Sequence, residues 1–321
     1  MIVVTGAAGF IGSCLVAGLN RTGHAELILV DDFSRADKQR NWQQKAYLQT
    51  IDRKEFAAWL DANAQEVEVV FHLGARTDTT EQDRDLFDRL NYHYTQQVWE
   101  VCTKHDLQLI YASSAATYGG GEFGYSDTHD VVNSLKPLNP YGDSKNLFDI
   151  WALEQSETPP RWYGLKFFNV YGPNEYHKGR MASVIFHTYN QIQMTGAMKL
   201  FRSHRPDFKD GEQSRDFIYV KDVVQMMIWL WQNDATNGLY NIGTGQARTF
   251  YDLAANTFTA QEKRPHISFI DTPADIRDTY QYFTEADMNK LRDAGYPTPT
   301  YSLEEGIKDY VQSYLMQDKI W

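Results

Sequence analysis

A chain of 321 residues with 31 Lys and Arg against 42 Asp and Glu carries a formal net charge of -11, which excludes a general nucleic-acid surface and leaves a small, anionic ligand as the expectation. A hydrophobic fraction of 42% and a charged fraction of 23% are those of a folded globular protein with a sizeable core, not of a disordered chain. Cys14 and Cys102 fall in separate predicted helices and read as small core residues, so neither a disulfide framework nor a metal site is expected.

Residues 1–5 form a predicted buried strand that starts at once, leaving no room for a signal peptide, and no apolar run is long enough to span a bilayer. A cytoplasmic protein with no membrane partner is expected. The strand stops at Gly6-Ala7-Ala8-Gly9-Phe10-Ile11-Gly12 and passes into an amphipathic helix ending near residue 21. Strand, three glycines and helix in that order place backbone N–H groups where a pyrophosphate lies in dinucleotide-binding folds, the alternative being a simple tight turn.

The second strand, residues 26–30, ends in Asp31-Asp32, where a carboxylate accepts hydrogen bonds from an adenosine ribose and favours NAD. Arg35, Lys38 and Arg53 stand downstream and are able to neutralise a ribose 2′-phosphate, which favours NADP. The residues leave both cofactors open. A third strand over 67–73 carries Gly74-Ala75 at its carboxyl end, where backbone approaches the cofactor, and His72 in it reads as a core histidine. A helix is predicted over 80–104, with Asn91 inside it as a packing or a backbone-bridging residue.

A fourth strand over 107–112 runs into Ser113-Ser114-Ala115-Ala116-Thr117-Tyr118-Gly119. Hydroxyls at the carboxyl end of a parallel strand face the crevice where such sheets bind ligands, although a serine-rich capping loop is the plainer alternative. After a loop, Pro140 opens a helix that puts Tyr141 and Lys145 four residues apart on one face. A phenol with an unperturbed pKa of about 10 is a poor base at neutral pH, and an adjacent ammonium favours its phenolate. Alone, the pair is equally an ordinary half-exposed helix face.

A strand over 163–168 leads to Asn169-Val170-Tyr171-Gly172-Pro173, then to Tyr176-His177-Lys178-Gly179-Arg180 and a helix predicted over 181–194. Lys178 and Arg180 are expected near its N-terminus, adding positive potential for an anion. Phe201, Arg202, His204 and Arg205, then Arg215-Asp216-Phe217, complete an expected phosphate-binding lobe. Helices over 221–231, 251–260, 284–294 and 303–316 alternate with strands over 239–242 and 266–270. The expected fold is α/β: a Rossmann-type doubly wound parallel sheet over 1–170, with interleaved segments from about 215–245, and a smaller α/β substrate-binding lobe over 171–321.

Taken together, the glycine fingerprint, Ser114 and the Tyr141/Lys145 pair resemble the extended short-chain dehydrogenases/reductases, in their sugar-nucleotide epimerase branch. Ala112 to Gly120, His177-Lys178-Gly179 with Met181-Ala182-Ser183-Val184, and Tyr282-Phe283-Thr284 with Ala286-Asp287 are similar to the ADP-L-glycero-D-manno-heptose 6-epimerases, and the likeness runs along nearly the whole chain. The resemblance implies inversion of an ADP-sugar at C6 through a 6-keto intermediate, with tightly bound NADP, in the supply of heptose for lipopolysaccharide core. It also implies a ring-like homo-oligomer, a pentamer.

By the same resemblance, Tyr141 and Lys178 are the acid/base residues on opposite sides of C6, and Ser114 hydrogen-bonds the reacting oxygen. Lys145 holds the nicotinamide ribose and lowers the Tyr141 pKa. Substrate contacts fall on Asn169, Arg180 and His187, on Phe201, Arg202, Ser203 and His204, and on Arg215 and Tyr280. Cofactor contacts fall on Phe10, Ile11, Asp31, Asp32, Lys38 and Arg53, on Leu73, Gly74, Ala75, Arg76 and Thr77, and on Asn91, Tyr141, Lys145, Val170 and Lys178. Two features depart from the family: Asp32 stands where an amide is common, and the segment between Phe201 and Arg215 is longer than usual, which shifts the alignment of Arg202, Ser203 and His204. A 4,6-dehydratase is the nearest chemical rival, but it carries an Asp-Glu pair where this chain has Ala115 and Ala116. A silent dinucleotide sensor is the rival from another class, and retention of Ser114, Tyr141 and Lys145 together argues against it.

Overall fold

The computed structural model describes residues 1–277, 280–297 and 299–321. The chain runs through β1 (Ile2–Thr5), α1 (Phe10–Arg21), β2 (Leu27–Asp31), β3 (Gln49–Asp52), α2 (Phe56–Asn63), β4 (Val69–His72), α3 (Arg84–Phe87), α4 (Tyr94–Lys104), β5 (Gln108–Ser114), α5 (Pro140–Glu154) and β6 (Trp162–Phe167). It continues through β7 (Asn169–Tyr171), α6 (Val184–Thr195), β8 (Met198–Phe201), β9 (Ser214–Tyr219), α7 (Val220–Gln232), β10 (Gly238–Ile242), β11 (Ala247–Thr249), α8 (Phe250–Ala260), β12 (Ile267–Ile270), α9 (Ala274–Arg277), α10 (Asn289–Asp293) and α11 (Leu303–Asp309).

Ile and Val runs at β1, β2 and β4 have no polar face, so each strand must be covered on both sides. Val4 and Leu29 pack with α1 and α7 on one side, while Val3 and Ile28 pack with α2, α4 and α5 on the other. The result is a parallel seven-stranded sheet in the order β10-β6-β5-β4-β1-β2-β3. The chain reverses its winding direction between β1 and β4, and the carboxyl ends of those strands open the crevice where doubly wound sheets bind ligands. Two small sheets, β11-β9-β7 and β12-β8, lie beyond it, the second packed with α6 and α8 around Ile192, Leu200 and Phe258. Among the described residues no helix is long and apolar enough to cross a membrane.

Three predicted helices are corrected. The one expected over 80–104 does not begin until Arg84, because Asp78 takes the Thr80 N–H at 3.0 Å into a turn and Asp83 caps the next segment through Leu86 N–H at 3.1 Å. It then widens into a π-helical turn over Asp88–His93, which contains Asn91. The helix expected over 181–194 starts at Val184, where Ser183 supplies the cap. The one expected over 284–294 shortens to Asn289–Asp293, because upstream backbone is used elsewhere: Thr284 N–H bonds Ser214 and Ala286 N–H bonds Asp216. Strands β3, β7, β8, β9 and β11 were not expected.

Candidate active site

The glycines weld the sheet to α1. Gly6 has φ 67°, and a Cβ there would lie 2.8 Å from the Gly74 backbone; one on Gly12 would lie 2.2 Å from the Gly6 carbonyl. Only glycine permits this approach of β1, β4 and α1 at the sheet's switch point. Gly9 starts α1 without a side-chain cap, which leaves the helix N-terminus suited to a phosphate. Phe10 and Ile11 begin the same helix.

The acidic pair is engaged in two ways. Asp31 is buried and accepts from Ala8 N–H at 2.9 Å, from Asp32 N–H at 2.7 Å and from Lys38 Nζ at 3.3 Å. Asp32 is more open, accepts from the Ser34 hydroxyl at 2.5 Å, and has Arg53 4.0 Å away. The Ser34 hydrogen bonds, ahead of the Arg53 and Lys38 charges, hold the Asp32 carboxyl below its usual range. Across the crevice, Leu73, Gly74, Ala75, Arg76 and Thr77 follow β4. Asn91 bridges backbone here: it accepts from Arg76 N–H at 2.8 Å, and its amide donates to the Arg76 carbonyl and to Ser144 Oγ, each at 3.0 Å. A pyrophosphate cradle, a carboxylate pair and two cations on one rim fit a nicotinamide dinucleotide. His72 is a satisfied core histidine between Thr5 and Thr95, pushed down to about 3 by burial.

Helix α5 is started by Asn139, whose side chain accepts from Gly142 N–H at 2.8 Å, and by Pro140 in its first turn. Tyr141, Lys145 and the buried Asp149 follow at intervals of four on its inner face. Ser114 at the end of β5 lies close enough to the Tyr141 phenol to lower its pKa, and the Lys145 ammonium donates to the Ala112 carbonyl at 2.8 Å. Ser114, Tyr141 and Lys145 thus lie together at the end of β5 and the first turns of α5. Burial raises the Tyr141 pKa, outweighing the lowering by Ser114. Desolvation acts on the lysine too, pushing it down to about 8 against the pull of Asp149.

Asp149 and Lys166 were missed. Both are 0% exposed and pair at 2.8 Å. Asp149 also accepts from Tyr111 Oη at 3.0 Å and Ser113 Oγ at 2.6 Å, and Lys166 donates to Thr117 Oγ1 at 2.8 Å. These bonds grip the residues on either side of Ala112 and so fix β5 against α5. The legible signals were an acid one turn beyond Lys145 and a lysine inside an otherwise apolar strand.

Lys178 and Arg180 lie on a 3₁₀ turn, Tyr176–Met181, ahead of α6 rather than in its first turn. The expected anion site at that helix end is filled by the protein: the Glu175 carboxylate takes both Ser183 N–H and Oγ at 2.6 Å. Lys178 reaches back over the Phe10 ring, 5.1 Å from its centre, and burial lowers its pKa against the opposing charge of Glu175. It therefore faces the start of α1. Val170 and Asn169 pair with Ile218 and Phe217 in the small sheet. The carbonyl of Arg180 meets His187 Nε2 at 3.3 Å.

The remaining candidates form two groups. Arg215 is buried, stacks 5.5 Å from the Tyr280 ring, and gives its guanidinium to the Ser214 and Gln281 carbonyls; Phe201 packs edge-on against the same tyrosine. Arg202 is half exposed between Asp210 and Asp271, and Arg205 pairs with Asp207. Ser203 N–H bonds Asp210 at 2.8 Å, and His204 links Tyr282 and Thr272. The expected cationic lobe is thus a set of arginines mostly matched by carboxylates or carbonyls.

The sequence model of the NAD dependent epimerase/dehydratase family matches residues 2–243. The chain is 49% identical to the ADP-L-glycero-D-manno-heptose-6-epimerase of Fusobacterium nucleatum subsp. nucleatum, covering 99% of each, and 47% identical to that of Nitratidesulfovibrio vulgaris, covering 98% of each. The crystal structure of the Helicobacter pylori ADP-L-glycero-D-manno-heptose-6-epimerase superposes with a TM-score of 0.81 at 29% identity, covering 97% of this chain and 95% of that one.

Proposed function

The chain belongs to the NAD dependent epimerase/dehydratase family, and from that premise we propose that it interconverts ADP-D-glycero-D-manno-heptose and ADP-L-glycero-D-manno-heptose at C6. The full-length likeness to the heptose epimerases carries the substrate; the Ser114–Tyr141 contact at the end of β5 supports the reaction type. A nicotinamide dinucleotide held by the Gly6–Gly12 loop, the Asp31/Asp32 rim and Lys145 supplies hydride acceptance and return at carbon.

The protein's own groups handle the proton. Burial drives Tyr141 and Lys178 in opposite directions, so near neutrality the phenol is retained as an acid while the ammonium is brought closer to serving as a base. In one direction Lys178 takes the C6 hydroxyl proton, the 6-keto intermediate forms, and Tyr141 returns a proton after the opposite face is reduced; in the other direction the roles exchange. Ser114 donates to the reacting oxygen. Arg180, Arg215 and the residues between Phe201 and His204 contact the ADP-sugar. Incubation of the purified protein with ADP-D-glycero-D-manno-heptose, followed at C6 by NMR, tests this reading, and an unchanged sugar in the presence of bound cofactor rejects it.

NADP is the proposed cofactor. The Asp31 oxygens are already engaged by two N–H groups and Lys38, while Lys38 and Arg53 lie on the same rim. A 2′-phosphate gains the Lys38 and Arg53 cations there, against the charge of the more open Asp32, whereas a bare ribose finds Asp31 occupied. Mass analysis of the nucleotide released on denaturation decides, with NAD overturning the assignment. The enzyme is proposed to be cytoplasmic and pentameric, the second point being read by sedimentation equilibrium.

A further inference from the structure

Residues 318–321 are held between two segments that border the site. The Trp321 N–H donates to Asn174 Oδ1 at 2.8 Å, and Asn174 Nδ2 donates to the Trp321 carbonyl at 3.2 Å. Lys45 donates to that same carbonyl, and the indole lies near two cations, 5.0 Å from Arg21 and 5.6 Å from Lys221. The preceding residues continue the pattern: Tyr176 Oη donates to the Lys319 carbonyl at 2.7 Å, and Arg40 donates to the Asp318 carboxylate at 2.9 Å and its carbonyl at 2.7 Å. One side of the tail therefore engages residues 40–45 beyond the cofactor rim, and the other engages residues 174–176.

Asn174 joins this tail to the catalytic side. It is fully buried at φ 75°, a conformation asparagine tolerates better than most residues. Its amide also donates to Ser13 Oγ in α1 at 3.0 Å, while Asn41 donates to both the Asn174 carbonyl at 3.1 Å and the Ala8 carbonyl of the glycine loop at 3.0 Å. Four residues further on, the Lys178 N–H closes its turn onto the Glu175 carbonyl at 2.9 Å, and the Glu175 side chain is fixed by Ser183. The turn bearing Lys178 is thus located from one end by α6 and from the other by Asn174.

We propose that residues 318–321 form a clasp that positions Lys178 for its proton transfer, with Asn174 as the positioning residue and Trp321 as the anchor. The clasp rests on the reading of Lys178 as an acid/base residue. Lysine has a flexible four-carbon stem, so the placement of its ammonium depends on the backbone turn that carries it. A displacement of about 1 Å is sufficient to slow a reaction by up to ~10².

The test uses the full chain with Trp321→Ala, Asn174→Gly, Trp321→Phe and Lys178→Met. Glycine at 174 keeps the left-handed backbone and removes only the amide. C6 inversion is measured across pH, together with hydrogen exchange of the amides in 174–181. For Trp321→Ala and Asn174→Gly, kcat falls roughly tenfold to a hundredfold with KM nearly unchanged, the pH profile shifts, and exchange quickens. Both variants at 321 keep its backbone bonds; Trp321→Phe also keeps an aromatic ring beside Arg21 and Lys221 and recovers most of the rate. Wild-type kcat and pH profile in both disrupting variants, with Lys178→Met inactive, overturn the clasp while sparing the acid/base assignment. A fully active Lys178→Met overturns that assignment, and the clasp's role with it.

Discussion

The face built by β5, α5 and β6 and the face built by the loop after β8 both hold ion pairs, but in opposite surroundings. Asp149 and Lys166 are 0% exposed and bond three hydroxyls besides each other. Arg202 and Asp271 are 50% and 67% exposed, and Arg205 and Asp207 are 53% and 51% exposed. Water screens the second set, so those pairs exchange partners at little expense; the first set is shielded from water and held by its hydroxyl partners. The buried pair therefore serves geometry, fixing β5 against α5, while the exposed arginines are able to exchange partners with water.

The sharpest way to break this contrast is Asp149→Ala, which strands the Lys166 ammonium in the core. Stability should drop by about 3–5 kcal/mol in urea denaturation. A drop below ~1 kcal/mol would show that the pair behaves like a surface one. Next come the two proposed proton-transfer residues: Tyr141→Phe on α5 and Lys178→Met on the turn before α6 should each slow interconversion by ~10² or more. Unequal effects would show which of the two proton transfers limits the rate.

A third effect is a pH dependence. Lys145 is pushed from its ordinary 10.5 down to about 8, so the unfolded chain binds that proton more tightly than the folded one. The resulting penalty is fully present below pH 8 and is relieved as pH rises from about 8 towards 10.5. In thermal melts, wild type should gain stability relative to Lys145→Met over that interval. A flat difference contradicts the desolvation of this ammonium. The smallest effect is expected at Arg202→Ala, where stability should change by less than ~1 kcal/mol. A raised KM at unchanged stability assigns the guanidinium to the substrate.

The same contrast explains what could be read from the sequence. Gly6 to Gly12, Asn139-Pro140 and the Tyr141/Lys145 spacing are local signals, and local geometry decides a tight turn or a helix start. The structure places them together as expected at the carboxyl end of the sheet. Asp149 with Lys166 and Asn174 with Trp321 are contacts between segments far apart in the chain, which local periodicity does not report. The misread start of α6 had a closer cause: Met181 and Ala182 look helical, but Ser183 caps the helix and Glu175 occupies its end. Strand β3 escaped because Gln49, Thr50 and Asp52 are exposed and it joins the sheet only through β2.

In the proposed reaction C6 is oxidised and then reduced at the opposite face, with hydrogen carried on carbon as hydride rather than exchanged with water. Running the reaction on ADP-D-glycero-D-manno-heptose in D2O tests it most directly. Hydride return gives an inverted product that retains protium at C6; deuterium at C6 would mean that inversion proceeds through proton exchange with solvent and would rule out the hydride route.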